Sequence, residues 1–162
     1  LGRYAVLGNH DYWVSPEDVG DALRKAGITL LVNRSTPVRR GSDDLWIVGV
    51  DDAAAGHCDP ELALQGVPPV AFKIALLHEP DMADRIAQHP VQLQLSGHSH
   101  GGQVRLPGIG PLLLPPLARK YPMGLRRVGP LVLYTSRGVG RVQPAVRFNC
   151  PPEITLITLK RA

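Results

Sequence analysis

The richest chemistry in this chain lies in Gly97-His98-Ser99-His100-Gly101-Gly102-Gln103, two imidazoles one residue apart among glycines, directly after an apolar run ending at Leu95. Imidazoles at i and i+2 can face one cation from an extended or turning backbone. The glycines around them let the main chain bend sharply and a bulky anion such as phosphate come close. Two further apolar runs end in matching groups. Tyr4-Ala5-Val6-Leu7 breaks at Gly8 into Asn9, His10 and Asp11, and Phe72-Lys73-Ile74-Ala75-Leu76-Leu77 runs into His78, Glu79, Pro80 and Asp81. In open α/β sheets, ligand sites collect at the carboxyl ends of strands, so Asn9, His78, His98 and His100 can converge although they are far apart in the chain. Each histidine alone reads as a hydrogen-bonded structural imidazole. Three strand ends carrying donors together read as a site.

The elements that must position these groups follow from periodicity and turn chemistry. Strands are predicted over 3–7, 28–32, 45–50, 72–77, 92–96, 102–106, 131–135, 144–148 and 153–160, and helices over 16–26, 60–65 and 81–88. The first helix is well marked: Ser15 as N-cap, Pro16 in the first turn, Asp18 three residues after the cap and Gly27 closing it. Alternating strands and helices that give way to strands alone predict an α/β sandwich with helices outside. Seventeen glycines and sixteen prolines among 162 residues make the chain loop-rich without low complexity. It carries no repeat or linker, and 1–162 reads as a single domain.

GNHD at 8–11, LLHEPD at 76–81 and SGHSHGGQ at 96–103 resemble the last three signature blocks of the calcineurin-like metallophosphoesterases. The resemblance runs from Tyr4 to Leu159. The HEPD form, the GGQ, Ser136-Arg137-Gly138-Val139-Gly140 and Pro151-Pro152-Glu153-Ile154-Thr155-Leu156-Ile157 look most like a bacterial branch of membrane-associated phosphodiesterases similar to UDP-diacylglucosamine pyrophosphatases. The resemblance implies a β-sandwich flanked by helices (α/β/β/α), a divalent metal cofactor of two ions, and hydrolysis of phosphate esters or anhydrides. It makes Asn9, His78 and His98 ligands of one ion and His100 a ligand of the other. In that scheme water activated by the cations attacks phosphorus in line, and His10 is a catalytic residue that stabilises charge on the phosphoryl oxygens. Asp11 would orient the His10 ring and keep it protonated, although locally it serves equally well as a helix cap. Manganese is favoured; iron, zinc or magnesium also suit donors without thiolates.

The sequence departs from the family in lacking the upstream DxH and GDxxD blocks, which supply an imidazole and two carboxylates. The expectation is therefore a carboxyl-terminal part whose amino-terminal βα units are missing, weakly active or inactive by itself. Without a bridging carboxylate nothing offsets the repulsion of two close cations. Asp51 and Asp52 follow a different strand and read as loop or substrate-side groups, as does Asp59. The competing functions are a non-catalytic metal- or phosphate-binding remnant and a nucleotide or nucleic-acid phosphodiesterase.

The formal charge of +4 raises nucleic acid and membranes as partners, but aromatic content of 5% and the lack of any RNP, zinc-finger or helix-turn-helix signature argue against base recognition. The cations, among them Arg119, Lys120, Arg126, Arg127, Arg137, Arg141 and Arg147, are expected to meet phosphate. Leu106 to Arg127 joins an apolar, proline-broken stretch to Arg119, Lys120, Arg126 and Arg127, which suits a lipid-linked phosphoester substrate or peripheral membrane contact. The competing expectation is a loop whose leucines pack inward. Cys58 and Cys150, far apart and without a signal peptide, read as free thiols. That points to the cytoplasm or the membrane periphery, with an upstream signal or anchor still compatible. Gly56-His57-Cys58-Asp59 reads as a polar loop rather than a metal cluster, and nothing sets the oligomeric state.

Overall fold

The computed structural model describes residues 2–41 and 43–160. In chain order the elements are β1 (Tyr4–Ala5), α1 (Asn9–Val14), α2 (Pro16–Lys25), β2 (Thr29–Leu30), β3 (Arg34–Arg40), β4 (Asp43–Gly49), α3 (Pro60–Ala63), β5 (Phe72–Leu76), α4 (Ala83–Ile86), β6 (Leu93–Ser96), β7 (Arg105–Leu106), β8 (Gly110–Pro111), β9 (Gly124–Val128) and β10 (Leu131–Thr135). One mixed sheet of six strands, in the order β3-β4-β5-β6-β10-β9, organises the domain. Its four central strands run parallel, so their carboxyl ends lie together. Antiparallel β3 and β9 close the two edges. β1 pairs in parallel with β2 as a separate two-stranded ribbon. The α/β class of mixed sheet and flanking helices is as expected.

Side-chain alternation along the strands divides the core in two. On one face Val48, Ala75, Leu77, Leu131 and Leu133 pack under α3 and α4 through Ala63, Ala83 and Ile86. On the other, Ile47, Ile74 and Leu93 pack with Leu31 and with the half-buried Tyr4, Leu76, Leu95 and Val132. Gly49 is where the covering ribbon presses on the sheet. A methyl there would lie 2.1 Å from Cβ of Leu31.

Helix α2 forms as its caps dictate, with Ser15 Oγ accepting from the Asp18 N–H at 3.1 Å and Gly27 in the left-handed region at φ 68°. Several expectations need correction. Residues 144–148 form no strand: Pro144 has no N–H to give, Val146 N–H turns back to the Pro144 carbonyl, and only a bridge between Val104 and Phe148 remains. Residues 153–160 form no strand because no neighbour supplies a ladder; Ile154 and Leu156 stand 91% and 92% exposed. The strand expected over 102–106 shrinks to Arg105–Leu106 behind a 3₁₀ turn at His100–Gly102. The helix expected over 81–88 becomes a 3₁₀ turn at Pro80–Met82 followed by α4. Four elements escaped the pattern: the short helix α1, the two-residue strand β8 and the arginine-bearing edge strands β3 and β9.

Candidate metal centre

Strands β5 and β6 are adjacent and parallel, so the loops after them leave the sheet side by side. Backbone bonds continue the pairing past the last strand residue. Leu77 N–H reaches the Leu95 carbonyl at 3.2 Å and Gly97 N–H the His78 carbonyl at 3.0 Å. This brings the rings of His78 and His98 edge to face, 4.9 Å between centroids. Ligand atoms of His78, Glu79 and His98 all lie within 4.8 Å of one another. The third loop arrives through Gly8, where a methyl would sit 2.8 Å from three atoms of the His78 ring. Absence of a side chain at Gly8 is what lets the segment bearing Asn9 lie against that imidazole. Asn9 itself is buried.

His100 follows two residues after His98, in a loop of unusual conformation. His98, His100, Gly101, Gly102 and Gln103 have φ of 63°, 50°, 62°, 81° and 51°. Ser99 holds the loop from within, its Oγ accepting from Gly101 N–H at 3.0 Å. Gln103 holds it from outside: its Oε1 accepts from Val142 N–H at 2.7 Å while its amide donates to the carbonyls of Val142 and Pro144.

Burial pushes the His78 imidazole down to about 4, and the neighbouring His98 and His100 push the same way against Asp52 and Asp11. Burial also lowers His100. Both rings are therefore neutral at neutral pH, with a lone pair available, which is the state a cation needs. Behind them, Asp52 and Glu79 are both fully buried and hydrogen-bond carboxyl to carboxyl. Burial and Asp52 raise Glu79 to about 8. Asp52 moves the opposite way: burial would raise it, but Glu79 and the N–H groups of Ala55 and Ala54 outweigh that. Asp52 Oδ2 and Glu79 Oε1 are buried without a hydrogen-bond partner among the described residues. Nitrogen and oxygen donors, neutral imidazoles and an adjacent buried acid pair fit a divalent cation.

The other expected site residues are placed differently. His10 lies exposed on α1, stacked on Trp13 at 4.3 Å between centroids. Asp11 accepts from the Gly8 N–H at 2.8 Å and so caps that helix; among the described residues no hydrogen bond joins it to the His10 ring. Asp51 and Asp52 lie in the loop after β4, one of the two expected placements, and are buried, 3% and 0% exposed. Asp51 accepts from the Tyr12 hydroxyl at 2.6 Å and from His57 N–H at 2.9 Å. Asp59 caps α3 through Leu62 N–H. Arg137 is paired with Glu153, and the Arg147 guanidinium is taken up by backbone carbonyls, so neither is free for phosphate. Sequence reasoning missed Glu79 as part of the centre. The only signal was its place between His78 and Pro80 after an apolar strand.

No family model matches the sequence. Over 163 residues, 99% of this chain and 57% of the relative, it is 38% identical to the metallophosphoesterase YkuE of Bacillus subtilis. Over nearly its whole length the chain is thus similar to a metallophosphoesterase. It is also 37% identical to phosphodiesterase YaeI of Escherichia coli, covering 96% of this chain and 57% of that protein. The UDP-2,3-diacylglucosamine pyrophosphatase LpxG of Chlamydia trachomatis is 34% identical over 148 residues, 83% of this chain and 42% of LpxG. The chain spans little more than half the length of the first two of these relatives and less than half of the third. A crystal structure of a Staphylococcus aureus protein assigned as a 5'-nucleotidase superposes with a TM-score of 0.54 at 12% identity, over 98% of this chain and 39% of that one. That likeness shows the fold.

Proposed function

We propose that the chain supplies one side of the active site of a divalent-metal phosphoesterase that cleaves a phosphodiester or pyrophosphate. The observation that carries this reading is the meeting of three loop ends at two imidazoles, His78 and His98 at 4.9 Å with Gly8-Asn9 against the first. His78, His98 and Asn9 would hold one cation and His100 a second. Such cations supply an activated water and polarise the phosphoryl oxygens. His10, on the exposed start of α1, faces the solvent side from which substrate enters and stabilises developing negative charge. Asp11 fixes the start of that helix and so the direction of His10. Manganese is the favoured ion. The chain's own donors give the second cation a single imidazole and no bridging carboxylate, which also favours a second reading: a metal- or phosphate-binding module without turnover.

A lipid-linked substrate is supported by the surface beside the centre. Ile109, Leu112 and Leu113 are 74%, 52% and 81% exposed, next in sequence to the exposed Arg119 and Lys120. Among the described residues no helix is long and apolar enough to cross a membrane. The reading therefore puts the protein at the membrane periphery, and a soluble nucleotide diester is the rival substrate. Bis-p-nitrophenyl phosphate turnover tests it, with manganese added back after chelation. The chain alone is compared with a chimera in which it replaces the matching region of the Bacillus subtilis relative. Turnover is expected in the chimera, abolished by His98→Ala with loss of bound metal and lowered by His10→Ala with metal retained. Equal metal loss in both variants would refute the separate roles, and a silent chimera that still binds manganese would support the module without turnover.

A further inference from the structure

The hydrogen bonds of His98 and His100 carry information that their position in the motif does not. His98 Nε2 lies 2.9 Å from the Pro116 carbonyl and His100 Nδ1 lies 3.4 Å from the Gly140 carbonyl. A carbonyl oxygen only accepts, so each of these nitrogens must carry the hydrogen. The two rings are consequently held in opposite tautomers, His98 presenting a bare Nδ1 and His100 a bare Nε2. In metal sites the partner of the second ring nitrogen sets both the tautomer and the angle of the imidazole. Here both partners come from loops that contribute no ligand, and each loop is pinned by one side chain.

Gly140 is pinned by Arg147. Its guanidinium donates to the Gly140 carbonyl from Nε at 3.3 Å and from a terminal nitrogen at 2.6 Å. The remaining donors reach the carbonyls of Arg137, Gly138, His100 and Cys150. One planar cation thus fastens the backbone on both sides of His100 without any carboxylate partner. Pro116 is pinned by Asp81, the last residue of the HEPD block. Asp81 N–H donates to the Leu117 carbonyl at 2.9 Å, and its carboxylate accepts from the N–H groups of Arg119 at 2.8 Å, Lys120 at 3.1 Å and Tyr121 at 2.9 Å.

We propose that Arg147 and Asp81 are positioning residues that fix the tautomers of His100 and His98 through the Gly140 and Pro116 carbonyls, so that the two imidazoles offer different nitrogens to the cations. The proposal deepens the metal-centre reading and rests on it for the word ligand. The tautomers themselves are readable without metal or substrate, so failure of the two ideas can be told apart.

The experiment is a long-range ¹H–¹⁵N correlation spectrum of the histidine rings at neutral pH in the metal-free chain, repeated after adding Zn²⁺. His98 is expected as the Nε2–H form and His100 as the Nδ1–H form; Zn²⁺ should then shift Nδ1 of His98 and Nε2 of His100. Arg147→Met should remove the Nδ1–H preference of His100 and leave His98 unchanged, while Asp81→Asn should disturb His98 and leave His100 unchanged. Arg147→Lys should fail to restore the His100 tautomer, since a single ammonium cannot span five carbonyls. If Arg147 only stabilises the fold, folded molecules of Arg147→Met would keep His100 in the Nδ1–H form, and the proposal falls. It falls equally if both rings share one tautomer in the unsubstituted chain. Should Arg147→Met not fold, Arg147→Lys alone decides: retention of the Nδ1–H form overturns the proposal.

Discussion

The two faces of the central sheet are covered in different ways. Beneath α3 and α4, Val48, Leu77, Leu131 and Leu133 are 1% exposed or less. On the opposite face Ile47, Ile74 and Leu93 keep 6–9% exposure, and Leu76, Leu95 and Val132 are only half-buried. The cover there comes from both ends of the chain. The β1–β2 ribbon brings Leu31 against Gly49 at one side. At the other, Glu153 and Thr155 hydrogen-bond to the Tyr134 hydroxyl, a residue on the same side of β10 as Val132. Between them the middle of the sheet has little over it. The candidate metal centre stands at the carboxyl ends of strands whose one face is closely covered and whose other face is thinly roofed. Site geometry should then depend far more on the first face than on the second.

Three variants test that asymmetry. Leu133→Ala empties a fully buried position on the closed face and should cost about 2–5 kcal/mol by urea denaturation. Gly49→Ala overfills the contact with Leu31 and should cost about 1–3 kcal/mol. Its signature is faster hydrogen exchange at Leu31 N–H, now bonded to the Ala5 carbonyl at 2.9 Å. Leu95→Ala, on the thinly roofed face, should cost about 1 kcal/mol, because part of that side chain already meets water. A loss at Leu95 equal to that at Leu133 would erase the distinction between the faces.

A smaller effect probes the tail that roofs Tyr134. Burial pushes the Glu153 carboxyl up, but the Arg137 N–H and guanidinium and the Tyr134 hydroxyl outweigh it and hold it below the ordinary carboxylate value. A carboxylate depressed in this way contributes fully above its ordinary pKa and loses that contribution as pH falls toward the folded value. Acid should therefore loosen residues 151–155 before the sheet unfolds, seen as line changes at Tyr134. Glu153→Gln should abolish the pH step; a step that survives would place its origin elsewhere.

Much of this arrangement was legible in the sequence because the central strands are apolar and punctuated. β5, β6 and β10 are mostly apolar, interrupted by Lys73, Gln94, Ser96 and Thr135, and His78 and His98 follow β5 and β6 two residues on. The edges were not legible for a physical reason. β3 carries Arg34, Pro37 and Arg39, and β9 carries Arg126 and Arg127, residues that suit an edge and resemble loop. Conversely, 153–160 has the alternation of a strand but no partner, and pattern alone cannot supply one. Within the centre, strand ends announced His78 and His98. The Asp52–Glu79 pair was invisible because its burial and mutual influence exist only once the loops after β4 and β5 are side by side.

The left-handed run from His98 to Gln103 has a kinetic consequence. Five of its six residues, all but Ser99, take positive φ and three of those five are not glycine; each such conformation costs on the order of 1–3 kcal/mol, a cost met during folding by Ser99, Gln103 and Arg147. An ion reaching the candidate centre would therefore find the backbone that bears His98 and His100 already set. Capture should be limited by shedding water from the ion rather than by waiting for the polypeptide to rearrange.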